Sequence, residues 1–387
     1  MTERSAQQGL LPEGLRDALP PEAAHADHIR RQLLDRFASH GYEQVMPPLI
    51  EFESGLAGRL ATEKSRDMFR LLDSESQQVM VLRSDITGQV ARIAATRLGH
   101  MERPLRLSYA GTALRVKGSQ LRPERQFGQA GVELIGPRSL DAALEVLLLA
   151  HEAVEALSLE GVSIDLVFPS FVPELAKELG LGSAETDLIY DALDEKDIAG
   201  LASLDTSVRQ IFEAILSCAG PAEDAVHALK ALDLPARASA VVQSIDEFVS
   251  ALMAANEAFE LTLDPGEQRG FFYQGDFGFS LFCEGTKAEL GRGGRYGIRS
   301  IDGKIEPATG FTLYLDSLSR AVEKPVQAQK VYIAHGVARK EGVRLRDQGW
   351  VTVQGLAPEA NLREEAVRLN CTHVFENGDV VSIADEK

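Results

Sequence analysis

Arg125-Gln126-Phe127-Gly128-Gln129-Ala130-Gly131-Val132-Glu133-Leu134-Ile135-Gly136 is the stretch whose reading decides the fold. Side chains alternate across a β-strand, so Arg125, Phe127, Gln129, Gly131 and Glu133 share one face. That face carries an amide that both donates and accepts and a carboxylate that only accepts when ionised. The glycine between them leaves room for something to approach the backbone. A small ligand bearing an amine suits this set. Read alone, the stretch favours a plainer account, a strand of an antiparallel sheet whose polar side meets water.

Composition narrows what surrounds it. At 387 residues the chain exceeds the size at which one hydrophobic core keeps growing, so two or three units are expected. Hydrophobic residues at 44% make it globular. Cys218, Cys283 and Cys371 stand far apart with no C-x-x-C pair, which argues against a disulfide framework or a zinc site and fits a reduced, cytoplasmic setting. His25, His28, His100, His151, His227 and His373 form no ligand spacing, so no metal is expected. The N-terminal MTERSAQQGLLPEG has no apolar core for a signal peptide, and the run Leu144 to Leu157 is broken by Glu145, His151, Glu152 and Glu155. Neither export nor a membrane span is expected. The formal charge of −18 is concentrated in residues 141–268, where 25 acidic face 5 basic side chains, a local balance of −20. A surface of that sign repels a phosphate backbone and weighs against nucleic acid as a partner.

Along the chain, Pro20-Pro21 open a helical pattern with Ile29, Leu33, Leu34 and Phe37 at three- and four-residue spacings, closed by Gly41. Val45 to Glu51 reads as a strand that Pro47 and Pro48 confine to a sheet edge or an interface. Asp67 to Leu72 and Gln78 to Arg83 read as a hairpin around the polar turn Asp73-Ser74-Glu75-Ser76. Ile86 to Leu98 is a helix ended by Gly99, with Asp85 and Thr87 placed as capping oxygens at its start. Residues 138–158 read as a helix, Val162 to Phe168 as a strand, and Phe171 to Leu263 as a mostly helical acidic segment. Strands resume over Gly270 to Glu284 and continue past the glycine cluster Gly291 to Gly297. That cluster lacks the spacing and the following helix of a phosphate loop and reads as a strand-end bend. After Lys324-Pro325, strands at Val331 to Ala334, Trp350 to Val353 and His373 to Phe375 alternate with helices in a small βαβ-like unit. The expected class is α+β, with a core of residues 1–165 and 264–324, an acidic helical insertion at 166–263, and a small C-terminal α/β unit at 325–387.

RQFGQAGVE (Arg125 to Glu133), preceded by LSYAGTALRVKG (Leu107 to Gly118), resembles the second signature motif of histidyl-tRNA synthetase. The likeness covers most of residues 10–320, through LRSDIT (Leu82 to Thr87), RGFFYQG (Arg269 to Gly275), GRGGRYG (Gly291 to Gly297) and GFTLYLDSL (Gly310 to Leu318). It implies a class II aminoacyl-tRNA synthetase-like antiparallel sheet flanked by helices. In that family the N-terminal helix and the proline-bearing strand form a homodimer contact, and Pro48 falls on the motif proline. By the same resemblance Asp85, Thr87, Gln129, Glu133, Arg269, Tyr273 and Tyr296 line one cavity for free histidine, with Arg115 and Gln274 as possible additions. Asp85, Thr87 and Gln129 would accept from the α-ammonium, Arg269 would pair with the α-carboxylate, and Glu133 would accept from an imidazole N–H. Asp85 replaces the family's glutamate, keeping the charge one methylene shorter. RGLDYY becomes RGFFYQ, with Phe272 for an acid and Gln274 for an imidazole-contacting tyrosine.

The nucleotide side is depleted. Arg115 keeps its place, but Lys117 replaces the motif-two glutamate, Pro123 an arginine of that loop, and Ser317 the arginine of the third motif. A charge-assisted hydrogen bond is worth about 1.5–3 kcal/mol, so several such losses predict no useful adenylation. A synthetase core with a histidine-like pocket, a dismantled ATP site, a reduced C-terminal unit and an acidic insertion resembles the regulatory-subunit family of ATP phosphoribosyltransferase. That resemblance implies a non-catalytic protein with no catalytic residues and no cofactor. It would partner the short catalytic ATP phosphoribosyltransferase chain in a hetero-oligomer, serving the first step of histidine biosynthesis and feedback with histidine as effector. The alternative is a divergent histidyl-tRNA synthetase, whose third-motif arginine, motif-two glutamate and full anticodon domain are missing.

Overall fold

Helix α1 (Glu22–Ser39) buries Ile29, Leu33 and Phe37 completely, the stripe that its spacing dictates. Gly41 then takes φ +78°, which lets the backbone turn away from the helix. The computed structural model describes residues 10–56, 68–118, 123–256, 259–267, 274–286, 288–300, 302–324 and 329–384. Arg269, Phe272, Tyr273 and the side chain of Gln274 lie outside that set. The expected strand Val45 to Glu51 is divided into β1 (Glu43–Gln44) and β2 (Ile50–Phe52). Pro47 and Pro48 cannot donate to a ladder, so the chain leaves one sheet edge before them and joins another after them.

A short helix α2 (Glu53–Leu56) precedes the hairpin of β3 (Arg70–Leu72) and β4 (Val79–Leu82). Its turn is held by Asp73, whose carboxylate accepts from the Ser76 backbone N–H and hydroxyl. With β2 these strands form a three-stranded antiparallel sheet, β4 central. Helix α3 (Thr87–Thr96) follows.

The main sheet adds β5 (Leu105–Leu114), β6 (Gln126–Ile135), β7 (Val162–Val167), β8 (Gly220–Pro221), β9 (Glu260–Leu263), β10 (Gln274–Cys283), β11 (Gly291–Arg299) and β12 (Ile305–Tyr314). Its nine strands run in the order β1-β5-β6-β12-β11-β10-β7-β9-β8. The expected antiparallel pairing holds except for two parallel pairs, β1 with β5 and β7 with β9. The glycine cluster is no strand-end bend. It is the body of β11, paired along its length with β12, because a side chain at Gly293 would collide with the Phe279 ring and one at Gly291 with Leu313.

The two faces of this sheet carry different cores. One holds α1 and α4 (Leu140–Glu155), whose first turn is capped by the Ser139 hydroxyl at 3.2 Å from the Ala142 N–H. It continues without a break into α5 (Phe171–Glu178), α6 (Ser183–Glu195), α7 (Thr206–Leu216), α8 (Ala222–Lys230) and α9 (Ala236–Ala255). The segment expected as an insertion therefore shares one apolar cluster with the sheet and lends it β8 and β9. Helix α9 is long and apolar enough to cross a membrane, but its Val242, Ile245, Phe248 and Leu252 are buried in that cluster. The other face packs Ile86, Val90 and Ala94 of the α3 region against Leu107, Tyr109 and Ile135. A last helix, α10 (Leu315–Ala321), closes this unit.

The chain divides into two compact units, Met1–Glu323 and Lys324–Lys387. The second contains β13 (Lys330–Ile333), α11 (Arg339–Asp347), β14 (Val351–Gln354), α12 (Leu362–Arg368), β15 (His373–Glu376) and β16 (Asp379–Ser382). The strands run β14-β13-β15-β16, parallel except for the final pair. This matches the βαβ-like pattern read from the sequence.

Candidate functional site

β6 presents Gln129 and Glu133 toward α3, and both are almost fully buried, at 2% and 1% exposure. The plain reading of a polar face in water is thereby overturned. Burial of an amide and a carboxylate is costly unless each finds partners, and the surrounding elements supply them. Gln129 accepts from the Ile86 N–H at 3.1 Å and donates to Asp85 at 2.8 Å. Asp85 in turn accepts from the Thr87 N–H at 2.7 Å just ahead of α3; the N-cap residue is Ile86 and no side chain caps it, so the expected capping by Asp85 and Thr87 is not what these side chains do.

Glu133 is reached from the neighbouring strand β5 and, across β12, from β11. Tyr296 on β11 donates its hydroxyl to one carboxylate oxygen at 2.6 Å, and Tyr109 on β5 stands 3.5 Å from the other. The Tyr109 hydroxyl lies 2.7 Å from that of Thr312 and 3.2 Å from that of Thr87. Burial dominates and pushes the Glu133 carboxyl up to about 8, while the hydroxyl bonds pull the other way and Asp85 adds repulsion. The same burial, with Glu133 beside them, pushes the Tyr109 and Tyr296 phenols well above their ordinary value.

The structure thus brings together Asp85, Thr87, Gln129, Glu133 and Tyr296. Gly131 does not leave room for a ligand, because the ring and hydroxyl of Tyr109 fill the space beside it. Asp85, Thr87, Glu133 and Tyr296, together with Arg292, Gly293, Gly294 and Gly310, line a small cavity of about 30 Å³. Arg115 is not part of the lining; its guanidinium lies over the Phe127 ring at 4.2 Å from the centroid. Tyr109, Thr312 and Tyr314 were missed in the sequence. Tyr109 and Gly131 are paired across β5 and β6, so the glycine is explained by the tyrosine opposite it.

Beyond this cavity the positions of the resembled nucleotide site are occupied by contacts within the protein. Ser317 is buried at the start of α10, Lys117 is exposed, and Asp316 accepts from the Gly128 N–H at 2.8 Å. Phe127, Ala113 and Tyr314 form a small apolar cluster there, and Arg320 is paired with Glu124 at 2.8 Å.

A polar network joins α3 to the proline segment. Buried Arg83 donates to the carbonyls of Thr112 and Pro47 and to Gln89. Gln89 donates to the Pro48 carbonyl and to Glu51, which is paired with Arg92. Among the described residues no group of three or more His, Cys, Asp or Glu side chains is placed to hold a metal ion.

Residues 14–318 match the family model described as histidyl-tRNA synthetase. The ATP phosphoribosyltransferase regulatory subunit of Rhodospirillum centenum is 49% identical over 381 residues, covering 98% of each chain. The chain belongs to the family of ATP phosphoribosyltransferase regulatory subunits. Another member, from Paramagnetospirillum magneticum, is 46% identical over 99% of this chain and 100% of its own. Among solved structures, an ATP phosphoribosyltransferase regulatory subunit/histidyl-tRNA synthetase from Bacillus halodurans C superposes with a TM-score of 0.81 at 24% identity, over 95% of this chain and 97% of that one. Histidyl-tRNA synthetase from Nostoc sp. PCC 7120 gives 0.77 at 15% identity, over 98% and 95%. The fold is therefore the class II synthetase-like one, and family membership separates the chain from the synthetases that share it.

Proposed function

We propose that this chain is a non-catalytic subunit that joins the short catalytic chain of ATP phosphoribosyltransferase, a glycosyltransferase, and lends it feedback control by histidine in the first step of histidine biosynthesis. The observation that carries this reading is a contrast inside one fold. The buried pairs Gln129–Asp85 and Tyr296–Glu133 are bonded, with an acid still at position 85, whereas Lys117, Pro123 and Ser317 stand, by the resemblance, where a synthetase grips its nucleotide. Asp85, Thr87 and Gln129 lie together at the start of α3 and their oxygens suit an α-ammonium, and Glu133 suits an imidazole N–H. Arg269 and Tyr273 are proposed to complete the site.

A homodimer is part of the proposal. Met46 is 81% and Leu72 64% exposed, and Leu49, Ile50, Phe52 and Leu71 join them on the three-stranded sheet and the segment leading into it. Exposed apolar side chains on this small sheet suit a self-complementary twofold contact. The acidic balance argues against nucleic acid, and the reduced cysteines suit the cytoplasm.

The test is to mix the chain with the short catalytic chain of the same organism and assay phosphoribosyl transfer with and without histidine. Stimulation on mixing and inhibition by histidine are expected. Histidine-dependent pyrophosphate exchange by the isolated chain, at rates comparable to a synthetase, would overturn the proposal.

A further inference from the structure

On the sheet face turned away from Glu133, a groove of about 640 Å³ opens between the start of α4, the middle of α9 and the beginning of β10. Small-molecule sites span about 300–1,000 Å³ and combine apolar walls with a few placed polar groups. The walls here are aromatic: Phe248 meets Phe168 and Phe277 with ring centroids 6.0 and 5.1 Å apart. The rim is charged. The pairing of β10 with β11 shifts register between Gln274 and Gly278, so the consecutive residues Asp276 and Phe277 both line the groove.

Arg295 is 9% exposed. It donates to Asp276 Oδ2 and to the Ser139 carbonyl, both at 2.8 Å, which fixes it as part of the wall. Arg138 approaches the same Asp276 oxygen at 3.4 Å with its side chain 71% exposed. That is a long hydrogen bond through one of the guanidinium's donors, which leaves others for a further acceptor. The second Asp276 oxygen, Oδ1, is buried without a hydrogen-bond partner. A buried acceptor of this kind calls for an explanation. A cation and an anion side by side at the mouth of an aromatic cleft match the two poles of an α-amino acid, whose ammonium and carboxylate share one carbon.

We propose that this groove is a second small-molecule site for a zwitterion with a ring-bearing body, of which a free aromatic amino acid is the simplest case. The ligand ammonium approaches the exposed part of the Asp276 carboxylate at Oδ2, beside the long Arg138 contact. The carboxylate takes the Arg138 fork, and the ring packs edge-on among the three phenyl groups. This inference is independent of the histidine reading, since the two sites lie on opposite faces of the sheet and share no residue.

The test uses the full chain and calorimetry with three probes: L-tryptophan, tryptamine, which lacks the carboxylate, and indole-3-propionate, which lacks the ammonium. Tryptophan should bind, and each one-pole probe about tenfold more weakly, the effect of one charge-assisted contact. Arg138→Ala should weaken tryptophan and indole-3-propionate and spare tryptamine; Asp276→Asn should weaken tryptophan and tryptamine and spare indole-3-propionate. Because Asp276 also holds Arg295, a location test that leaves this pair intact is Ser244→Trp, at an exposed position of α9 on the groove wall, which should abolish binding of all three. No tryptophan binding at millimolar concentration, equal binding of the three probes, or binding that survives Ser244→Trp would overturn the proposal.

Discussion

Replacing Glu133 with Gln tests the electrostatics of the buried site directly. The wild-type carboxyl has only hydroxyl donors among the described residues, and burial raises it from 4.5 to about 8. Between those values the folded chain holds a proton that the unfolded chain has released. Its contribution to stability is therefore fully present below pH 4.5 and is lost as pH rises through 8. At about 1.4 kcal/mol per pH unit, ~3 kcal/mol has gone at pH 7 and ~5 kcal/mol is the ceiling above pH 8. Gln keeps the shape and an acceptor for the Tyr296 hydroxyl and cannot ionise. The variant should match wild type near pH 5 and exceed it by a few kcal/mol near pH 9. Urea midpoints of both proteins across that range give the difference. A difference that does not change with pH would mean that Glu133 is already ionised in the fold, and the argument from burial would fail.

Gly131→Ala should destabilise by about 1–3 kcal/mol in the same urea assay, because the added methyl meets the Phe311 carbonyl and the Tyr109 hydroxyl with no space to relax. Gln129→Ala leaves the buried Ile86 N–H without its acceptor at 3.1 Å and frees Asp85, so about 1–3 kcal/mol is lost. In the mixed complex it should also raise the histidine concentration for half-inhibition roughly tenfold, the effect of about 1.4 kcal/mol. Met46→Asp combined with Leu72→Asp should turn a sedimenting dimer into a monomer; a wild-type chain that is already monomeric would remove the dimer from the proposed function.

Much of the first unit was legible because helix periods and turn chemistry are local. Ile29, Leu33 and Phe37 announced α1, and Asp73 to Ser76 announced the β3–β4 turn. What escaped was set by contacts between distant segments. Gly131 looked like an opening because Tyr109 lies 22 positions earlier. Gly291 to Gly297 looked like a bend because the side chains that demand glycine, Phe279 and Leu313, come from neighbouring strands. The proline segment was correctly confined to an edge, but one strand became two because it serves two sheets. In the site, resemblance supplied Asp85, Gln129 and Glu133 as a set. Strand alternation alone favoured a face of Gln129 and Glu133 in solvent, since a buried polar face looks the same in sequence as an exposed one until the neighbours are known.

The network beneath α3 ties the residues proposed to face the ligand to the exposed apolar segment. Asp85 is two residues from Arg83, whose guanidinium grips the Pro47 carbonyl, and four from Gln89, which grips Pro48. These bonds connect the start of α3 directly to the exposed Met46–Phe52 segment. If a second copy docks there, occupancy of one pocket and the fit between two chains become a single mechanical variable, with no long relay needed to connect them.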